Sequence, residues 1–352
     1  HGKTMQRGPR EPEGRGVARE SRESLDGGDG PGLEPRTILR FWLPLAATWL
    51  MMATEGPFVA ALVARMPEPM YNLAAFGVAL AFAFVIEAPI IMLLAATTAL
   101  ARDRESLGRV RRFSIVMNGG VTAAMALVAL PPVFDLLASR VLALPPAVAD
   151  RAHLAVAVFL PWPAAIGFRR FQQGILIAAG QTRLVAYGTA VRLSTMAATG
   201  LALFLHGGLD GAVVGAAALS TGVVVEAGAS WAWARDARRR LELRPPASDG
   251  EVPTLADVQR FYWPLAVTPL MNMAAQPLVT FFVGRGHLPI ESLAVLPVVN
   301  SFGFLFRCPA TAFQEVVIAL GRGGEAAIRS LRRFATLLGG LSSLAMAAVV
   351  LT

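Results

Sequence analysis

The sequence predicts an all-α polytopic membrane protein made of two parallel-repeat lobes of six helices, the second lobe truncated after its third helix. Three features carry that expectation: apolar runs long enough to cross a bilayer, arginines confined to alternate loops, and a segment that recurs 220 residues downstream, from Arg40 to Arg260.

Of 352 residues, 55% are hydrophobic and only 16% are charged, with a mean hydropathy of +0.53. A soluble chain of this length needs charge spread around its core, but here charge is scarce and clustered. Apolar spans run over Phe41–Ala64, Leu73–Leu100, Phe113–Phe134, Ala152–Phe168, Leu184–Leu205, Leu209–Ala234, Phe261–Val283, Ser292–Leu320 and Phe334–Leu351. These are helices by necessity, because an open strand would leave backbone groups unpaired in lipid. The formal charge of +8 would by itself suit nucleic acid. The arginines, however, sit in short loops between apolar runs and not on one face of a soluble fold, so no nucleic-acid partner is expected. Cys308 is the single cysteine, which excludes a disulfide framework and a CxxC metal pair. Residues 1–35 are rich in Gly, Pro, Arg and Glu and lack an apolar stretch, so they read as a disordered cytoplasmic tail and not a signal peptide.

Arginine placement sets the orientation. Arg36 and Arg40 precede the first span. Arg102, Arg104, Arg109, Arg111 and Arg112 follow the second, and Arg169, Arg170 and Arg183 follow the fourth. Arg235, Arg238, Arg239, Arg240 and Arg244 follow the sixth, and Arg322, Arg329, Arg332 and Arg333 follow the eighth. The intervening loops, Arg65–Asn72, Ser139–Arg151, His206–Asp210 and Gly284–Glu291, are short and nearly neutral. The basic loops fall on one side if the N-terminus is cytoplasmic, as in a bacterial inner membrane protein. Residues 235–259, with Pro245, Pro246 and Pro253, read as a cytoplasmic linker between a six-helix lobe (36–234) and a partial lobe of three helices (260–352).

The repeat rests on residues that rarely match by chance. Arg40-Phe41-Trp42-Leu43-Pro44-Leu45-Ala46 returns as Arg260-Phe261-Tyr262-Trp263-Pro264-Leu265-Ala266. Pro57 meets Pro277, Arg65 meets Arg285 and Pro89 meets Pro309. Arg111-Arg112-Phe113 meets Arg332-Arg333-Phe334 with one residue of slippage. Six spans separate the copies, so both enter the membrane from one side and form parallel repeats. Six helices per lobe then imply three more beyond Thr352, and the chain is expected to be a fragment.

These segments resemble the superfamily that holds the multidrug and toxic compound extrusion (MATE) transporters, the oligosaccharide-lipid flippases and the progressive ankylosis protein. Pro44-Leu45 through Glu55-Gly56-Pro57 resembles the first MATE helix, which carries an acidic residue near the position of Glu55. Phe171-Gln172-Gln173-Gly174 through Ala179-Gly180-Gln181-Thr182 resembles the end of helix 4, and Gly208-Leu209-Asp210-Gly211-Ala212 the opening of helix 6. The stretch Arg260–Ala266 is similar to its counterpart in the progressive ankylosis protein. Ala275 stands opposite Glu55, so the second acidic site of many MATE transporters is absent. By this resemblance Glu55 is a proton or cation site; its alternative is a carboxylate hydrogen-bonded to Thr54 or Thr48.

Ionisable groups inside a bilayer are functional candidates by default. Glu87 and Arg307 occupy the same slot of the two copies, each two residues before a proline, Pro89 or Pro309. They are expected to face a central cleft and to bind substrate or a proton, the alternative being a permanent ion pair. Glu315, beside Gln314, is a further candidate, and Gln172 and Gln173 line a cavity or form a helix-end polar cluster. Arg192 is expected to snorkel to the cytoplasmic side, and Glu226, nearer a helix end, to be structural.

The resemblance implies a secondary active transporter that exports a small solute or ion by alternating access, coupled to an ion gradient. Its alternatives are a lipid-linked oligosaccharide flippase and an organic-anion or pyrophosphate exporter. The lipid bilayer is the one constant partner, and the chain is expected to work as a monomer without a cofactor. No Walker A sequence is present, and His1, His153, His206 and His287 show no metal-ligand spacing, so an enzyme is not expected.

Overall fold

The computed structural model describes residues 33–244, 254–320 and 324–351, and the regular structure among them is helical throughout. The first span is α1 (Pro35–Ala53) and α2 (Glu55–Val63), interrupted at Thr54. The second is α3 (Pro69–Glu87), a 3-10 turn (Ala88–Ile90) and α4 (Leu93–Leu100). After α5 (Arg104–Ala129) comes a loop holding α6 (Pro131–Leu136) and a π turn (Leu137–Val141). The fourth span is α7 (Pro146–Val158) with α8 (Trp162–Ala178), followed by α9 (Thr182–His206) and α10 (Gly211–Trp233). The polar α11 (Arg235–Glu242) precedes α12 (Leu255–Gly284), α13 (Pro289–Leu320) and α14 (Gly324–Leu351). Eight helical spans among the described residues are long and apolar enough to cross a membrane. The expected ninth, Phe334–Leu351, lies inside α14.

Two expected boundaries are corrected with consequences for arginines. The third span runs Arg104–Ala129 and not Phe113–Phe134, so Arg104, Arg109, Arg111 and Arg112 are helical residues of α5, and the fourth extends to Ala178 and not Phe168, so Arg169 and Arg170 are helical residues of α8. Their burial is discussed below; only Arg183 of that basic group follows the helix. Residues 1–32 of the expected tail lie outside the described residues, as do residues 245–253 of the expected linker. The described part of that linker includes α11 and the first turn of α12.

The prolines act differently in the two copies of the repeat. In the first copy α1 runs through Pro44, but the helix gives way beside the next two: α2 restarts two residues before Pro57, and Pro89 sits in the 3-10 turn. In the second copy α12 runs unbroken through Pro264, Pro269 and Pro277. In α13, Pro309 cannot supply an N–H to the carbonyl four residues back. The Cys308 thiol donates to that carbonyl, Leu305 O, at 3.2 Å.

The duplication is visible in the backbone. Both α1 and α12 begin at the same slot, Pro35 and Leu255, and both α3 and α13 begin at a proline, Pro69 and Pro289. The turn between them repeats bond for bond. Arg65 N donates to Leu62 O and Met66 N to Val63 O, as Arg285 N does to Phe282 O and Gly286 N to Val283 O. Asn72 N donates to Glu68 O as Ser292 N does to Leu288 O.

The chain divides into two compact units, Met51–Phe304 and His1–Leu50 with Leu305–Thr352. In the larger unit α10 is the central helix and packs on α2, α3, α7, α8 and α9. Its buried face is built of small residues, Gly211, Ala212, Gly215, Ala216, Ala218, Ser220 and Gly222. Helices in lipid gain little from hydrophobic burial and associate through close packing and hydrogen bonds, which this composition permits. Asn72 of α3 adds such a bond: its Oδ1 accepts from Ala212 N at 3.0 Å at the start of α10. In the smaller unit Ile38, Phe313, Val316 and Leu331 form a core with Trp42 and Phe334 packed against it.

Two helix starts on the arginine-rich side, those of α5 and α12, are fixed by capping boxes. Asp103 Oδ1 accepts from Glu105 N at 3.0 Å and Ser106 N at 2.9 Å, and Ser106 Oγ accepts from Asp103 N at 3.1 Å. Asp103→Ala removes the acceptor of two of these bonds and is expected to lower stability by about 1 kcal/mol, read as a fall in the thermal unfolding midpoint in detergent.

Candidate functional site

A chain of buried charge crosses the larger unit. It begins with Glu55, the first residue of α2, whose carboxylate faces the favourable N-terminal end of that helix. Glu55 Oε1 accepts from Arg192 Nη2 of α9. Arg192 Nε in turn lies 3.6 Å from Glu226 Oε2 of α10. The same Glu226 oxygen accepts from Arg169 Nη1 of α8 at 2.5 Å, and Glu226 Oε1 accepts from Gln173 Nε2 at 3.2 Å. Four helical segments thus contribute to one network of two carboxylates, two guanidiniums and an amide.

All of it lies at depth. Arg192 is ten residues beyond Thr182, about 15 Å along α9, which is half of a hydrocarbon core about 30 Å thick. Glu226 is 0% exposed, and the Arg169 and Arg192 side chains are 5% and 9% exposed. Glu55, at 13%, is the most accessible member. A carboxylate as enclosed as Glu226 is tolerable only with opposite charge and hydrogen bonds around it, and it has both. Helix packing makes the room. A methyl group at Gly188 of α9 would stand 3.2 Å from Glu226 Oε1, and one at Gly222 of α10 would stand 3.0 Å from the Arg192 carbonyl.

The loop after α8 completes the geometry. Gly180 takes φ +74°, and Gly180 N and Gln181 N donate back to Ile177 O at 2.9 Å and Leu176 O at 2.8 Å. That left-handed C-terminal turn, which favours glycine, reverses the chain so that α9 runs back beside α8 with Arg192 at the level of the network.

The expected candidates divide. Glu55 is in the network. Glu87 is buried beside it in α3, where its carboxylate accepts from Trp162 Nε1 of α8. Gln172 is buried with its Oε1 lacking a hydrogen-bond partner, and its neighbour Gln173 is the one that reaches Glu226. Arg307 is an exposed position of α13 whose carbonyl accepts from Thr311 Oγ1 at 3.2 Å. Glu315 belongs to α13, and its side chain lies outside the described residues. One expectation is overturned: Arg192 does not snorkel, because Glu55 and Glu226 hold it inside. Glu226, in the second half of α10, is the most enclosed carboxylate of the network. Arg169 was missed because the apolar run ends at Phe168 while the helix continues. The signal available was Arg169 and Gln173, four residues apart and therefore on one helical face.

No described group of three or more His, Cys, Asp or Glu side chains could hold a metal ion. A cavity of about 900 Å³ opens at the opposite end of the larger unit, lined by Arg65, Met66, Leu154, Phe204, Leu209 and Asp210 among others, and it includes none of the buried charges. Near it Arg151 pairs with both Glu68 and Asp210, the latter at 3.5 Å.

No protein-family model matches the sequence, and no curated protein matches it. Among solved structures, the MATE multidrug transporter DinF-BH, determined in complex with a ligand, is similar, with a TM-score of 0.63 over 90% of this chain and 72% of that one. The chain folds as a MATE transporter does. At 12% identity this is a likeness of fold, in which Glu55 sits on the first span of a MATE-like helix bundle.

Removing one member of the network should cost far more than removing a pair. Glu226→Leu leaves Arg169 and Arg192 without their shared carboxylate, and a loss of about 3–5 kcal/mol is expected. Glu226→Leu with Arg169→Met should recover a large part of that loss, measured as a double-mutant cycle of unfolding in detergent.

Proposed function

We propose that the chain is a secondary active transporter that exports a small solute from the cytoplasm by alternating access, with the Glu55–Arg192–Glu226 network as its coupling site. The observation that carries this reading is one guanidinium, Arg192, held between two carboxylates at mid-membrane depth on a MATE-like scaffold. Such a site is bistable. With Glu55 charged, Arg192 bridges to α2. With Glu55 protonated, that pair loses its charge, and Arg192 is left to Glu226, already 3.6 Å away. Proton binding at the accessible carboxylate would thereby release α2 from α9 while Arg169 and Gln173 keep Glu226 in place. The helix break at Thr54 gives α2 a hinge for that movement. Arg307 and Glu315 are the second copy's candidates in the same scheme, and Glu87 is the first copy's second carboxylate. The proposed setting is the cytoplasmic membrane with the N-terminus inside, following the arginine-rich loops.

A second reading, export of an organic anion, is favoured by Arg170. It lies next to Arg169 in α8, no carboxylate among the described residues pairs with it, and its buried Nε lacks a hydrogen-bond partner.

The test is flux from proteoliposomes driven by a pH gradient, with organic cations in one panel and citrate, pyrophosphate and nucleotides in the other. Glu55→Gln should lower gradient-driven flux by about tenfold or more and flatten its pH dependence. A Glu55→Gln protein with the native rate and the native pH profile would end the proposal. Flux restricted to the anion panel and lost in Arg170→Gln would select the second reading.

A further inference from the structure

The cavity of about 900 Å³ at the end of the larger unit opposite the arginine-rich loops has a charged mouth and apolar walls. Arg65 and Asp210 stand at the mouth, on the turns that follow α2 and α9. The walls include Leu154 and Val158 of α7, which lie eight and twelve residues beyond Pro146, about 12 Å and about 18 Å along the helix. A hydrocarbon core is about 30 Å thick, so this lining follows one leaflet from headgroup level to near its midplane. Leu154 and Leu209, both lining residues, are exposed. Water against such walls is costly, and an acyl chain against them is not.

The charges at the mouth have opposite signs. Arg65 is exposed and pairs with no carboxylate among the described residues; its Nη1 donates to the Ala61 carbonyl of its own helix at 2.7 Å, which leaves the rest of the guanidinium fork open. Asp210 shares Arg151 with Glu68, and two carboxylates with one guanidinium leave one net negative charge. We propose that this cavity binds a phospholipid with a primary ammonium headgroup, its phosphate on Arg65, its ammonium on Asp210 and an acyl chain along Leu154 and Val158. A guanidinium takes phosphate oxygens through two parallel N–H donors, and an ammonium supplies the donors a carboxylate accepts. A quaternary choline head carries the same charges but has no N–H for Asp210, and a glycerol head brings a net negative charge beside a site that already has one. The lipid would brace the far end of α2, the helix that begins with Glu55. Any effect on transport rests on the proposed function; binding itself does not.

The full-length chain is placed in nanodiscs holding equal amounts of phosphatidylethanolamine, phosphatidylcholine and phosphatidylglycerol with identical acyl chains, and the adducts that survive release are counted by native mass spectrometry. Phosphatidylethanolamine should be retained about tenfold over phosphatidylcholine, the preference expected for one charge-assisted hydrogen bond. Arg65→Gln should lower retention of all three lipids by about tenfold. Asp210→Asn should level phosphatidylethanolamine and phosphatidylcholine while keeping total retention. Ala157→Trp, which fills the apolar wall without touching either charge, should abolish the adduct. Equal retention of the three headgroups by the native chain would overturn the proposal, and so would a preference for phosphatidylglycerol. Native adducts in Ala157→Trp would place the lipid elsewhere and overturn it too. Displacement of the adduct by millimolar glycerophosphoethanolamine would assign the site to a soluble head and not to a lipid. Circular-dichroism spectra of the variants separate lost binding from lost folding.

Discussion

The Glu226 carboxylate is the constraint around which the larger unit is arranged. A fully enclosed negative charge in a helix bundle costs several kcal/mol unless cations and donors surround it. Here the compensation comes from two different helical segments. Arg169 and Gln173 arrive from α8, Arg192 from α9, and Glu55 of α2 takes the remaining face of Arg192. Because apolar surfaces gain little from each other in lipid, such directional contacts select one packing from many that methyl-on-methyl contact would allow. The small residues of α10 and Gly188 of α9 follow from the same need, since a bulkier neighbour would hold the guanidiniums off.

Duplication supplied two similar starting units, and the present copies have diverged in how they treat proline. The first copy yields beside Pro57 and Pro89 and places Glu55 immediately after one of the breaks. The second carries its prolines inside continuous helices and stands alanine in the Glu55 slot. Glu55 therefore sits beside a helix break that has no counterpart at its slot in the second copy, where α12 is continuous. What both retained is the turn after the first span, bond for bond.

Much of the fold was legible because membrane constraints are strict. A run such as Leu73–Leu100 has no alternative to a helix, and matched prolines and arginines at one offset reveal the repeat without any structure. The candidate site was less legible. Glu55 was accessible by resemblance, whereas Arg169 lay one residue past the end of an apolar run and was read as a loop residue. Hydropathy marks the stretch of a helix that is apolar; it marks neither where the helix stops nor a charge buried against neighbouring helices. Arg192 and Glu226 were treated one at a time, and a lone charge does favour the nearest interface. Only their three-dimensional adjacency, across 34 residues of chain between Arg192 and Glu226, turns two unfavourable burials into a stable pair.

The bond from Asn72 Oδ1 to Ala212 N has a bearing on biogenesis. Its partners are 140 residues apart. At synthesis rates of about 5–20 residues per second, the second span waits on the order of 7–28 s in the bilayer before the sixth is made. Throughout that interval a polar amide is held near the membrane surface with its intended partner untranslated. This packing of α3 therefore cannot form until α10 begins at Gly211.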